Sequence, residues 1–150
     1  MDTKEMATPI HILLVEDNPA DIRLTQMALK SNRIANTLLI ARDGEQALDA
    51  LFLRGEYRDS RRPEIILLDL NLPKKSGLEV LDIIKKDEVL RRIPVVILTS
   101  SEAEEDILRS YDLHANCFIT KPVNFSQFST VIQSLDNFWF TIVKRAPESP

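Results

Sequence analysis

Five short apolar runs, each followed by a segment of helical periodicity, dominate the chain: "IHILLV" before "PADIRLTQMALK", "TLLIA" before "DGEQALDALFL", "EIILLDL" before "SGLEVLDIIKK", "IPVVILT" before "AEEDILRSYDL", and "ANCFIT" before "FSQFSTVIQSLDNFWF". A strand with one solvated face alternates apolar and polar residues, whereas a strand covered on both faces reads as an unbroken apolar run. Strands of the second kind alternating with helices predict an α/β fold: a doubly wound, five-stranded parallel sheet with helices on both faces and right-handed crossovers. At 150 residues the chain has the size of one domain, 1–150. The longest polar connector, "RGEYRDSRRP", and the final "KRAPESP" are too short and too ordinary in composition to be interdomain linkers.

Charge narrows the partners. Nineteen Lys and Arg against 23 Asp and Glu leave a net charge of -4, so nothing draws the chain to nucleic acid or to an anionic membrane surface. No apolar stretch approaches the roughly 20 residues that cross a bilayer. The acidic start lacks the basic region and cleavage site of a secretory signal, and the single Cys117 has no partner for an internal disulfide. The expectation is a soluble cytoplasmic protein without a membrane or nucleic-acid role.

In a doubly wound sheet, chemistry collects at the carboxyl ends of the strands. Here those ends carry Glu16 and Asp17, Asp69, Thr99 and Ser100, and Thr120, Lys121 and Pro122. Asp69 closes an unbroken apolar run, where an isolated carboxylate is too costly to stand without a partner. Three carboxylates on one edge repel one another unless a hard divalent cation sits among them, and Mg²⁺ takes such oxygen ligands. A carboxylate so placed can also attack a phosphoryl group, provided positive charge screens the approach. Mg²⁺, Lys121 and the Thr99 hydroxyl would supply that screening, with Asp69 as the acceptor.

Taken in order, "LLVEDNP", "LLDLNLPKKSG", "VVILTS" and "CFITKP" resemble the receiver domain of two-component response regulators, over a core of about 10–137 with a C-terminal extension at 138–150. That resemblance implies a flavodoxin-like sheet in the order 2-1-3-4-5. It implies Asp69 as phosphoacceptor, Asp17 as a direct metal ligand, Glu16 acting through a coordinated water, and Asn71 lending its backbone carbonyl to the metal. Thr99 and Lys121 would hold phosphoryl oxygens, Phe118 matches the family's aromatic switch, and Lys121-Pro122 matches its usual cis peptide. "GEYRDSRRPEIILLDLNLPKK", "RRIPVVILT" and "SLDNFWF" resemble the stand-alone response regulators of cyanobacterial phytochromes, which implies a phytochrome histidine kinase as phosphodonor.

The chain stops soon after the fifth helix, so output is expected through protein contacts, and the apolar Phe138, Trp139 and Phe140 point to a homodimer interface. Several residues have simpler readings. Asn18 before Pro19 suits a helix cap, Thr99 and Ser100 suit the start of the fourth helix, Phe118 serves equally as a core aromatic, and Cys117 as a small buried hydrophobe. His11 reads as a surface or strand-edge residue, and Lys74 and Lys75 as solvated charge or as an attraction for an anionic donor. An aspartate-nucleophile phosphatase is disfavoured because Asn71 cannot exchange the proton that a second aspartate would. The remaining alternative is a receiver-fold adaptor that works without phosphorylation.

Overall fold

The computed structural model describes residues 9–30, 36–109 and 117–134. They form β1 (Ile10–Val15), α1 (Pro19–Lys30), β2 (Asn36–Ala41), α2 (Gly44–Leu51), β3 (Ile65–Asp69), α3 (Gly77–Lys86), β4 (Val95–Thr99), α4 (Glu102–Arg109), β5 (Cys117–Thr120) and α5 (Phe125–Ser134). The strands make one sheet in the order β2-β1-β3-β4-β5, and every pairing is parallel. Fold class and strand order are therefore those expected.

The unbroken apolar runs are explained by where their alternate side chains go. Leu13 and Val15 of β1, with Ile66 and Leu68 of β3, pack under α2 and α3 against Ala47, Leu51, Val80 and Ile84. Ile12, Leu14, Ile65 and Leu67 pack on the opposite face against Ile22 and Leu29 of α1 and Phe128 of α5. Every residue of β3, and every residue of β1 except the half-buried His11, is buried, so both faces of these central strands stay apolar up to their carboxyl ends.

Helix starts follow from capping chemistry. Asn18 Oδ1 accepts from the N–H groups of Ala20 and Asp21 at 2.9 and 3.1 Å, and Pro19 takes the first helical position, where no N–H is needed. Asp43 Oδ1 caps α2 through Gln46 N, and Ser76 Oγ caps α3 through Glu79 N. For α4 the cap differs from the expected Thr99 or Ser100: Ser101 Oγ accepts from Glu104 N at 3.1 Å, and the Glu104 carboxylate reaches back to Ser100 N. Thr99 cannot serve, because its hydroxyl is bonded within the sheet to Ile119 O and Thr120 Oγ1.

One further expectation is corrected. Cys117, at the start of β5, is half-buried rather than buried. The polar connector between α2 and β3 makes a 3₁₀ turn at Gly55–Tyr57 that drops Tyr57 into the α2 and α3 side of the core. His11 lies half-buried early in β1, and its backbone N–H donates to Glu64 Oε1. Among the described residues no helix is long and apolar enough to cross a membrane.

Candidate functional site

The hydrogen-bonded register of β1 with β3 brings the ends of both strands to one edge of the sheet, Val15 pairing with Leu68 just before Glu16 and Asp69. The next residues are the first ones free of the two packed faces, which is why charge enters the sequence there. Glu16 and Asp69 are nevertheless buried, 0% and 4% exposed, while Asp17 is exposed beside them. Opposite them, β5 is followed directly by Lys121, whose N–H donates to Thr99 O at 2.7 Å and whose peptide bond to Pro122 is cis.

The Lys121 ammonium donates to Glu16 Oε1 at 2.8 Å, to Asp69 Oδ2 at 3.1 Å and to Asp21 Oδ2 at 3.1 Å. A buried charge must be paired and hydrogen-bonded to persist, and this one spends its donors on three carboxylates. Burial by itself pulls the Lys121 pKa down, but the bonds to Glu16 and Asp69 outweigh it and hold the group above the ordinary lysine value, so it stays charged. Burial, reinforced by neighbouring Asp69, pushes the Glu16 carboxyl up to about 7 against the opposing pull of Lys121 and the Asn18 N–H.

One ammonium does not neutralise the edge. An oxygen from each of Glu16, Asp17 and Asp69 lies within 4.8 Å of the others. Three hard oxygen donors, two of them buried, in a site left with excess negative charge, fit a divalent cation of the Mg²⁺ and Mn²⁺ class. The loop after Asp69 is held close: Asn71 N–H donates to Asp69 Oδ1 at 3.0 Å, and Gly77 N–H closes onto Leu70 O. A side chain on Gly77 would run into Leu70 Cα and the Asp69 carbonyl, so only glycine allows α3 to start this near the acceptor strand.

The sequence-predicted residues thus fall into three groups. Glu16, Asp17, Asp69 and Lys121 converge, with Asn71 bracketing Asp69. Thr99 is fully buried at the end of β4, its hydroxyl bonded toward β5 rather than into the lysine cluster. Phe118 is half-buried in β5 with the Arg109 guanidinium 4.5 Å from its ring centre. Phe138, Trp139 and Phe140 lie outside the described residues. Lys74 and Lys75 are ion-paired, with Asp43 at 3.5 Å and Glu79 at 3.7 Å, which consumes part of the charge expected to attract a donor. The residue missed is Asp21, in the first turn of α1, whose carboxylate also accepts from the Lys121 ammonium.

The receiver domain model of response regulators matches residues 12–133. Response regulator Rcp1 of Synechocystis sp. is 50% identical over 139 residues, 93% of this chain and 95% of that protein. Its Mn²⁺-bound structure superposes with a TM-score of 0.70, 52% identical over 87% of this chain and 94% of that one. The bacteriophytochrome response regulator AtBRR superposes with a TM-score of 0.82, 51% identical over 88% of this chain and 96% of its own. The phosphorylated cyanobacterial phytochrome response regulator RcpA gives 0.71 at 50% identity, covering 89% and 96%. The family model spans most of the chain and a curated member is half identical over nearly its whole length, so the chain belongs to the family of response regulator receiver domains.

Proposed function

We propose that the chain accepts a phosphoryl group on Asp69 from a sensor histidine kinase of the phytochrome type, uses Mg²⁺ as its metal, and passes the signal on through protein contacts. The observation that carries this reading is the Lys121 ammonium held jointly by Asp69, Glu16 and Asp21 beside the acidic cluster, a positive group poised at the buried Asp69 carboxylate. The phytochrome assignment is supported by the similarity to regulators of that kind over almost their whole length.

In this mechanism a carboxylate oxygen of Asp69 attacks the phosphorus of the kinase phosphohistidine, and the imidazole leaves with the electron pair of the broken P–N bond. The Asn71 N–H fixes the carboxylate through Oδ1, which orients the nucleophile before the donor arrives. Lys121 neutralises charge on the transferring oxygens, and its bond to Glu16 keeps it at the acceptor. Mg²⁺, held by Glu16, Asp17, Asp69 and the Asn71 carbonyl, would supply further positive charge to the phosphoryl oxygens. Thr99 turns its hydroxyl from β5 to the new phosphoryl group, and Phe118 responds within β5.

Phosphotransfer from an autophosphorylated bacteriophytochrome kinase tests this. Label should pass to the wild type only with Mg²⁺ and never to Asp69→Asn; equal labelling of that variant contradicts the assignment. The homodimer through Phe138, Trp139 and Phe140 rests on the apolar character of that segment. Sedimentation of wild type beside a Trp139→Ala, Phe140→Ala variant should show a dimer lost in the variant, and a wild type that stays monomeric at high concentration contradicts it.

A further inference from the structure

Asp21 is an additional carboxylate at the site, and neither the metal cluster nor the acceptor role accounts for it. It sits in the first turn of α1, its side chain 28% exposed, with Oδ2 3.1 Å from Lys121 Nζ. It also lines an open recess of about 300 Å³ together with Leu24, Ser100, Lys121 and Pro122, so it faces the approach to the lysine from solvent. With a divalent cation bound, four ionised carboxylates and one ammonium would leave the site formally one charge negative, and Asp21 contributes one of those negative charges.

We propose that Asp21 is a charge filter that slows phosphorylation by small free dianionic donors by repelling them from Lys121. The inference rests on the reading of Asp69 as acceptor. In the reaction a carboxylate oxygen of Asp69 bonds to phosphorus, and the P–O bond of an acyl phosphate breaks with its electron pair leaving on the carboxylate product. A dianionic donor must bring its charge past Asp21, whereas a protein donor can offset the repulsion with its own cationic side chains. Asp21 also helps to fix Lys121, and losing that help would slow the reaction. The repulsion outweighs it, because Lys121 keeps its shorter bond to Glu16 and its bond to Asp69.

The test is the rate of labelling by acetyl phosphate at saturating Mg²⁺, read by intact mass on wild type, Asp21→Asn, Asp21→Glu and Asp82→Asn. Asp82 is an exposed carboxylate on α3, paired with Lys86, and serves as a remote loss of one charge. Asp21→Asn should be about twofold to fivefold faster at low salt, the range a half-exposed charge contributes, with the gain shrinking as salt screens it. Asp21→Glu, which keeps the charge, should show none of that gain, and Asp82→Asn should keep the wild-type rate. An Asp21→Asn rate equal to or below wild type, or a gain indifferent to salt or shared by Asp82→Asn, overturns the filter. A folded wild type that takes no label from acetyl phosphate or from a kinase overturns the acceptor assignment instead, and this inference with it.

Discussion

The burial of Glu16 beside Asp69 makes Lys121 a structural residue as well as a chemical one. Removing one partner of a buried ion pair leaves the other charge uncompensated, so Lys121→Met should lower unfolding free energy by about 3 kcal/mol, measured by urea denaturation without metal. Unchanged stability would mean that the ammonium is not what reconciles these carboxylates with burial. A ligand that binds only the folded state stabilises it by mass action, so Mg²⁺ at a hundredfold excess over its Kd should add about 2.7 kcal/mol. Asp17→Ala should abolish most of that gain; retention of the full metal effect would remove Asp17 from the ligand set. Glu16, Asp17, Asp69 and Lys121 were legible because the rule about strand ends turns their order in sequence into a place in space. Asp21 was not, since an aspartate in the first turn of a helix already has a sufficient reason in the helix dipole. Nor could the sequence show that the Thr99 hydroxyl bonds toward β5, because hydroxyl direction depends on a neighbouring strand distant in the chain.

At the level of elements, α4 stands apart. It buries none of its residues fully and exposes Ile107 by 60%, whereas α3 buries Gly77, Val80, Leu81 and Ile84. Helices held by few buried contacts open locally at low free energy, so amide hydrogen exchange should be faster across 102–109 than across 77–86. Equal protection would show that α4 is held by something other than packing. The Ser101 cap matters correspondingly more, and Ser101→Ala should cost about 1 kcal/mol of helix stability, seen first as faster exchange in α4. The strands and the apolar helix stripes were readable from periodicity alone. The cap of α4 was misplaced by one or two residues because "TSSE" offers three hydroxyl side chains in a row and local sequence does not choose among them. Tyr57 was missed because an aromatic in a polar connector gives no periodic signal; only the 3₁₀ turn that carries it explains its burial.

For the molecule as a whole, the sheet is both the core and the frame of the site. Leu67, fully buried in β3 two residues before Asp69, should cost about 2–5 kcal/mol as Leu67→Ala, while Leu24→Ala, 44% exposed on α1, should stay within about 0.5 kcal/mol. Similar losses at both would contradict the two-faced burial. Periodicity indicated a parallel sheet with helices on both faces, but the strand order came from family resemblance, since apolar runs of similar character can be ordered in many ways. That order matters for function: it seats β1 beside β3, so that the carboxylates of Glu16 and Asp69 share one edge and one lysine. The central claim is that this edge captures a phosphoryl group on Asp69. Intact mass and peptide mapping after incubation with acetyl phosphate and Mg²⁺ test it most directly. The account predicts a single phosphoryl-sized increment on the peptide containing Asp69, absent without metal and absent in Asp69→Asn. The same increment on another residue, or on the Asp69→Asn protein, would contradict it.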